Sequence, residues 1–351
     1  MPHILVGKVA QYASGIFKAL GLPENDAEVV VDNLLFADLR GVPSHGMSRV
    51  PTYVKRIKGG AINPNPNIRA IIERPALTVL DADGGMGQVA AMDAINQSID
   101  AAKREGISTV FVRNSNHFGM ASYYTRIAAS KGMVAVAVSN APPAMAAWGG
   151  SKPVLGTNPL SLAFPNPQGD PIIIDMATSL AARGKIREAE KEGRSIPLGW
   201  ALDKEGNPTT DPKEALAGSL SPLGGVKGYA LAVAVELLSG VLSGAGFLTG
   251  IEQMVGGSTG SLSVEQRVGH SFVVIDAGTL LPIEELTSRM TIFEKIIKEG
   301  PKAERVQEIF LPGQIEALKE KEQLAKGLYL SNQTITALNE IGDQLSLGAL
   351  Y

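Results

Sequence analysis

Ten consecutive residues, Ser44-His45-Gly46-Met47-Ser48-Arg49-Val50-Pro51-Thr52-Tyr53, combine hydroxyls, an imidazole, a guanidinium and a phenol directly after Asp38-Leu39-Arg40-Gly41. An imidazole ionises near neutrality, so His45 can give or take a proton. A planar guanidinium meets a carboxylate through two parallel hydrogen bonds. Together these groups suit a small anionic substrate. Arg49 and Tyr53, four apart, fall on one face of a helix. Pro51 belongs in that helix's first turn, with Ser48 the expected N-cap and His45 in the turn before it.

A second imidazole lies in Asn114-Ser115-Asn116-His117-Phe118-Gly119, between a β-branched run and a helical stretch. Loops at strand ends are where sites gather in α/β proteins. Asn116, or the positive end of the following helix, would poise His117 as a neutral general base. The chain has only four histidines. His45 and His117 share short, polar, glycine-flanked settings, whereas His3 and His270 do not and read as structural.

No Gly-x-Gly-x-x-Gly joins a strand to a helix, so the usual dinucleotide fingerprint is missing. Two other glycine-rich turns could offer amides to a phosphate, Asp83-Gly84-Gly85-Met86-Gly87-Gln88 and Gly224-Gly225-Val226-Lys227-Gly228. Lys227 adds a cation to the second, or is simply a solvated helix-end lysine. Asp175-Met176-Ala177-Thr178-Ser179 ends an apolar run, where it could hold ribose or amide or cap the next helix. Gly156-Thr157-Asn158-Pro159 reads as a turn with Asn158 at a special dihedral. No metal site is expected, because no histidine pair has ligand spacing and the chain contains no cysteine. Lys227 or Lys185 would serve a Schiff-base lyase if held in an apolar pocket.

These groups must be positioned by a chain of 351 residues, long enough for two lobes. Apolar residues at 44% and charged residues at 19% describe a folding globular protein. A net charge of −3 without a basic stripe argues against nucleic acid. The lack of cysteine fits a cytoplasmic setting, and residues 1–22 lack a signal peptide's cleavage pattern. Residues 1–22 and 23–41 have helical spacing, and residues 59–66 form a turn-rich connector, placing a boundary near residue 74. Short β-branched runs at 76–80, 107–112 and 133–138 then alternate with helices at 86–104 and 122–131. Further runs at 159–164, 171–174 and 271–276 lack regular crossover helices, which predicts a mixed sheet over residues 75–281. Residues 229–248, the most apolar stretch, carry Glu236 at their middle and read as a buried helix rather than a membrane span. Helices at 282–298, 314–326 and 333–345 resemble the first 74 residues, so residues 1–74 and 282–351 are expected to share a helical domain.

These ordered motifs resemble, over nearly the whole chain, the type-2 malate/L-lactate dehydrogenases, a family that includes sulfolactate, ureidoglycolate and diketogulonate oxidoreductases and cyclic-imine carboxylate reductases. The likeness is carried by Asp38-Leu39-Arg40-Gly41 with Ser44-His45-Gly46 and Arg49, by Ser115-Asn116-His117-Phe118-Gly119, Gly156-Thr157-Asn158-Pro159, Asp175-Met176-Ala177-Thr178-Ser179, Ile196-Pro197 with Gly199-Trp200-Ala201, and Lys227-Gly228-Tyr229. It implies a mixed α/β, non-Rossmann fold: a sheet domain binding the dinucleotide, a helical domain built from both termini, and a homodimer with shared active sites. It implies NAD or NADP, NAD being favoured, against Ala141, Asp175, Met176, Ala177, Lys227 and the turn of Pro312, Gly313 and Gln314. It also implies a small 2-hydroxy or 2-oxo acid substrate meeting Ser44, His45, Arg49 and His117. His117 would move the proton, with His45 the competing choice, while Arg49 clamps the carboxylate. Ala147 and Gln314 depart from the family's common proline and acidic residue and bear on NAD against NADP. Lys185 matches the hydroxy-acid members, so a malate, lactate or sulfolactate type of substrate is expected ahead of ureidoglycolate or a cyclic imine.

Overall fold

The computed structural model describes residues 3–254 and 262–351. Met1 and Pro2, included in the first expected helix, lie outside the described residues. After β1 (His3–Ile4), helix α1 (Val6–Ala19) buries Val9, Ala13, Ile16 and Phe17 at three- and four-residue spacing. Helix α2 (Glu24–Leu39) is buried almost throughout its second half. Two 3₁₀ turns, Pro43–His45 and Met47–Arg49, lead into α3 (Val50–Lys58). Pro51 does sit in the first turn of α3, but the expected N-cap does not: Arg49 takes that place, and the Ser48 hydroxyl donates to the Pro43 carbonyl at 2.5 Å. The cause is Asp38, whose carboxyl accepts the Met47 N–H at 2.7 Å and pulls the chain into a 3₁₀ turn before the helix starts.

A sheet region follows: β2 (Arg69–Arg74), β3 (Leu77–Asp81), α4 (Gly87–Glu105), β4 (Ile107–Ser115), α5 (Ala121–Ala129) and β5 (Met133–Ser139). Next come β6 (Met145–Ala146), β7 (Pro153–Leu155), β8 (Leu160–Phe164), β9 (Ile172–Met176), α6 (Arg183–Lys191), β10 (Ala201–Leu202), β11 (Pro208–Thr209), α7 (Pro212–Ala217) and β12 (Ser219–Leu220). The last part holds α8 (Val226–Glu236), β13 (Val268–Asp276), α9 (Ala277–Leu280), α10 (Ile283–Lys298), α11 (Gln314–Lys326), β14 (Leu328–Tyr329) and α12 (Asn332–Gln344).

Seven strands form the main sheet in the order β2-β3-β4-β13-β5-β8-β9. Only β3 and β4 run parallel, joined by the α4 crossover; every other neighbouring pair is antiparallel. The sheet is therefore mixed, because β13 arrives late in the chain and inserts between β4 and β5. Helix α4 packs on it through Ala90, Ala91 and Ala94, small side chains that let backbones approach closely, over Leu80, Val110, Phe272 and Val274. Strand β2 ends at residue 74, on the near side of the boundary expected there, and pairs with β3.

A second, five-stranded sheet, β11-β10-β12-β6-β7, went unanticipated. Its strands have two or three residues each, too few for a period of two to register. The helix expected over 229–248 is also corrected. Helix α8 ends at Glu236, continues as a π-helical turn over Leu237–Val241, and leaves Leu231, Leu237, Leu238, Val241 and Leu242 exposed, Leu242 by 65%. Apolar sequence alone does not distinguish a core from an open face.

A separate core draws on both ends of the chain, packing Val9, Phe17, Leu34 and Ile62 against Leu328, Leu338 and Leu350, while β1 pairs with β14. Helix α10 instead bonds the segment before β9, Asn166 donating to Glu294 at 2.7 Å and Thr291 to Gln168 at 2.9 Å. Among the described residues no helix is long and apolar enough to cross a membrane.

Candidate active site

The turn between α2 and α3 is set from below by Asp38. A side chain at residue 46 would fall on the Asp38 carboxyl, so glycine is required there, and the turn sits directly on that buried acid. Burial pushes the Asp38 carboxyl up to about 7, against the opposing pull of the Met47 N–H. Above it, the Ser44 hydroxyl lies 3.0 Å from His45 Nδ1, and Arg49 Nε donates to the Ser44 carbonyl at 2.5 Å. Three of the four sequence-predicted substrate residues thus share one turn.

The fourth comes from the end of β4. The loop carrying His117 rests on the Asp83–Gln88 turn: Asn116 Nδ2 donates to the carbonyls of Gly84 and Gly85 at 2.8 and 2.9 Å. The amides of Gly84 and Gly85 are themselves taken by Asn114 and Ala82, so these two are occupied by protein rather than open to a phosphate. Beneath the loop, the fully buried His270 bridges the Ser139 and Ser115 hydroxyls at 2.9 and 2.8 Å and stacks on Phe118 at 4.5 Å. Burial holds the His270 ring down to about 3, so it stays neutral and structural, as the sequence suggests.

The two loops meet. The His45 and His117 rings stack at 5.6 Å with 25° between planes. His117 Nδ1 lies 2.7 Å from the Tyr53 hydroxyl and receives the Gly119 N–H at 3.3 Å. Tyr53 in turn accepts from Gln88 Nε2 at 2.9 Å. Both imidazoles keep some surface open, yet the protein around them is dense enough that lost hydration dominates their ionisation. Desolvation first and the Arg49 cation second hold His45 down to about 4. The same causes, with His45 and His270 added, hold His117 well below its usual value. Arg49 is lowered by burial and by Arg187, and Tyr53 is pushed up to about 12 by burial. Without an anion, therefore, the site holds neutral rings beside a guanidinium, an arrangement that attracts a carboxylate.

The residues expected from the sequence to meet a cofactor are each held by local contacts. Ala141 N–H donates to Asn158 Oδ1 at 3.2 Å, and Asn158 has a φ of +35°, the special dihedral expected. Thr178 N–H donates to the Thr157 carbonyl at 2.9 Å, and Leu223 N–H to that of Thr178 at 2.8 Å, leading from Ala177 to the Gly224–Lys227 turn. Asp175 does cap a helix, but not the next one: it accepts the Ser122 N–H of α5 at 3.0 Å. Burial raises its carboxyl, while Ser122 and Arg40 oppose this. Met176 closes β9 opposite Leu160. The Pro312 carbonyl accepts from Ile173 at 3.1 Å and Gly313 from Arg40 Nη2 at 3.0 Å, while Gln314 folds back to accept the Leu311 N–H at 2.8 Å. Arg40 and Arg126 both pair with Glu320 at 2.8 Å across Phe36, tying that turn to α2 and α5.

Lys227 is exposed in the first turn of α8, which has no capping side chain. The amides of Val226 and Lys227 have no acceptor among the described residues. Lys185 is likewise exposed, so neither lysine lies in the apolar pocket a Schiff base requires. Among the described residues no group of three or more His, Asp or Glu is placed to hold a metal. Gln88, Asp38 and the buried Glu236, which binds Asn140 and Asn158 at 3.2 and 2.8 Å, stand in segments the sequence singles out but receive no positioning role there.

A family model described as malate/L-lactate dehydrogenase matches residues 5–339. The malate dehydrogenase of Pyrococcus horikoshii is 38% identical over 343 residues, 95% of this chain and 93% of that protein. The solved structure of sulfolactate dehydrogenase from Methanocaldococcus jannaschii superposes with a TM-score of 0.92 at 37% identity, covering 99% of this chain and 98% of that one. Relatives that carry a cofactor in their names include the (2R)-3-sulfolactate dehydrogenase (NADP(+)) of Chromohalobacter salexigens, 42% identical over 67% of this chain and 70% of its own length, and the ureidoglycolate dehydrogenase (NAD(+)) of Escherichia coli K12, 32% identical over 94% and 91%.

Proposed function

The chain belongs to the malate/L-lactate dehydrogenase family of oxidoreductases acting on CH–OH donors, and on that premise we propose that it interconverts a small L-2-hydroxy acid of the malate, lactate or sulfolactate type and its 2-oxo acid with NAD or NADP. The observation that carries this reading is the convergence of Ser44, His45, Arg49 and His117 from two loops of one chain. Arg49 holds the substrate carboxylate, which fixes the C2 carbon against neutral imidazoles; orientation of this kind can be worth up to about 7–11 kcal/mol. The imidazole pair of His45 and His117 moves the proton of the C2 hydroxyl, because removing hydride from a carbinol carbon needs that proton to leave.

The residues present fit a dinucleotide. The uncapped start of α8 offers the amides of Val226 and Lys227, which have no acceptor among the described residues, beside the Lys227 cation, a donor set suited to a pyrophosphate. Ala141 and the Asp175–Ala177 segment are linked towards that helix start by the Ala141–Asn158, Thr178–Thr157 and Leu223–Thr178 bonds, and Pro312, beside Gly313 and Gln314, bonds Ile173. Bound there, nicotinamide supplies the hydride acceptor or donor. We read the exposed apolar side of α8 and of the π-helical turn after it, from Leu231 to Leu242, as the contact of a homodimer.

The test is absorbance at the NADH band with a panel of 2-oxo acids, run with NADH and NADPH in parallel. Oxidation of one cofactor by oxaloacetate, pyruvate or sulfopyruvate is expected. Tight NADH binding with no oxidation by any member would defeat the proposal, and light scattering that finds only monomer would defeat the dimer.

A further inference from the structure

Two imidazoles stand at the site, and their surroundings differ. His117 Nδ1 faces two donors. The Tyr53 hydroxyl lies 2.7 Å away, and its oxygen already accepts from Gln88 Nε2, so its own proton points to the ring. The Gly119 N–H points to the same nitrogen at 3.3 Å. An amide side chain can be turned end for end without changing its outline, but a backbone N–H cannot, so the assignment survives either orientation of Gln88. Gly119 is fixed in this pose: its φ is +78°, and a side chain there would fall on Asn33 Oδ1. A neutral imidazole that accepts at Nδ1 carries its proton at Nε2, and His117 Nε2 has no protein partner among the described residues and is not sealed from solvent. His45 is held differently. Among the described residues its Nδ1 meets only the Ser44 hydroxyl, which can accept an N–H and leave Nε2 with its lone pair.

We propose that Tyr53, Gln88 and the Gly119 amide are positioning groups that hold His117 as the Nε2–H tautomer, so that His117 donates a hydrogen bond to the C2 oxygen while His45 takes up the hydroxyl proton. The two roles rest on the hydroxy-acid reading above; the tautomer does not. In oxidation the O–H bond breaks, its proton passes to His45, the electron pair left on oxygen forms the C2 carbonyl as the C2 hydride departs to the bound cofactor, and His117 remains neutral throughout. In reduction the His45 imidazolium returns the proton to the same oxygen. This reverses the order of the two rings expected from the sequence, which favours His117 as base.

Nitrogen NMR of the full-length protein labelled at histidine tests this, since four imidazoles can be resolved and His117→Gln identifies the relevant one. The expected spectrum has a proton-bearing Nε2 and a bare Nδ1 on His117 near neutral pH; a proton on Nδ1, or an even mixture, overturns the proposal. Tyr53→Phe should move His117 towards a mixture and lower kcat by at least about tenfold, since acid–base assistance is worth about 10²–10⁴. The 2-oxo acid KM should stay within about twofold, because the carboxylate clamp is untouched. An unchanged tautomer together with unchanged kcat in that variant also overturns it. The spectrum is read without substrate, so a wrong tautomer refutes the positioning claim even in an active dehydrogenase. An inactive protein with the expected tautomer refutes the hydroxy-acid reading instead.

Discussion

Replacing Arg49 by lysine separates charge from shape at the carboxylate clamp. Arg49 Nε is committed to the Ser44 carbonyl at 2.5 Å, which fixes the guanidinium plane, and its terminal nitrogens have no acceptor among the described residues. They are left as a two-pronged fork for an anion. Lysine keeps the cation but loses both the tether and the second prong. A charge-assisted hydrogen bond contributes about 1.5–3 kcal/mol, so the 2-oxo acid KM should rise roughly 10- to 150-fold, at about 1.4 kcal/mol per factor of ten. A second measurement follows from electrostatics. Arg49 lowers the proton affinity of both His45 and His117, so Arg49→Ala should move the acidic limb of kcat/KM against pH upward, whereas Arg49→Lys should leave it in place. Initial rates at the NADH band across a pH series supply both quantities. A KM within about twofold of the parent in the lysine variant, or an acidic limb that stays fixed when the cation is removed, would refute this account of the clamp.

His117→Gln should abolish turnover while NADH binding, followed by fluorescence, stays near that of the parent; lost binding with retained kcat would contradict the placement of His117 at the reacting atoms. Lys227→Ala should weaken dinucleotide binding roughly tenfold, the worth of one charge-assisted contact, and an unchanged Kd would remove Lys227 from the phosphate site. Asp38 titrates near 7 in the fold against 3.8 when free, so the folded state binds the extra proton between those values. Its contribution is fully present below about pH 4 and is lost as pH rises through 7, a decline of about 4 kcal/mol. Asp38→Asn, which keeps an acceptor for Met47 without a charge, should flatten the fall in melting temperature between pH 5 and 8, and parallel curves for the two proteins would rule that out.

What the sequence revealed was local. Ser44, His45 and Arg49 stand within six residues, and the β-branched runs around 107–112 and 133–138 have a period long enough to identify strands. What stayed hidden depends on pairs that meet only after folding. Tyr53 reaches His117 across 64 positions, Gln88 reaches Tyr53 across 35, and Arg40 reaches Glu320 across 280. No periodicity records such contacts. The five-stranded sheet escapes because its two- and three-residue strands hardly alternate, and the segment after Lys227 reads as core because exposed leucines look in sequence like buried ones. Ser48 failed as a cap because an acid ten residues upstream, Asp38, had already shaped the turn.

The core that joins both ends of the chain also sets a timetable. On a ribosome, helices α1 to α3 emerge well before Leu328, Leu338 and Leu350, which cover their apolar sides. The interval of roughly 270 residues corresponds to about 15–50 s of translation at 5–20 residues per second. Throughout that time Val9, Phe17 and Leu34 lack their final cover. The nascent N-terminal helices are thus natural clients for a holding chaperone, and a message truncated before Leu328 would yield a protein whose sheet can assemble while its first three helices stay adhesive.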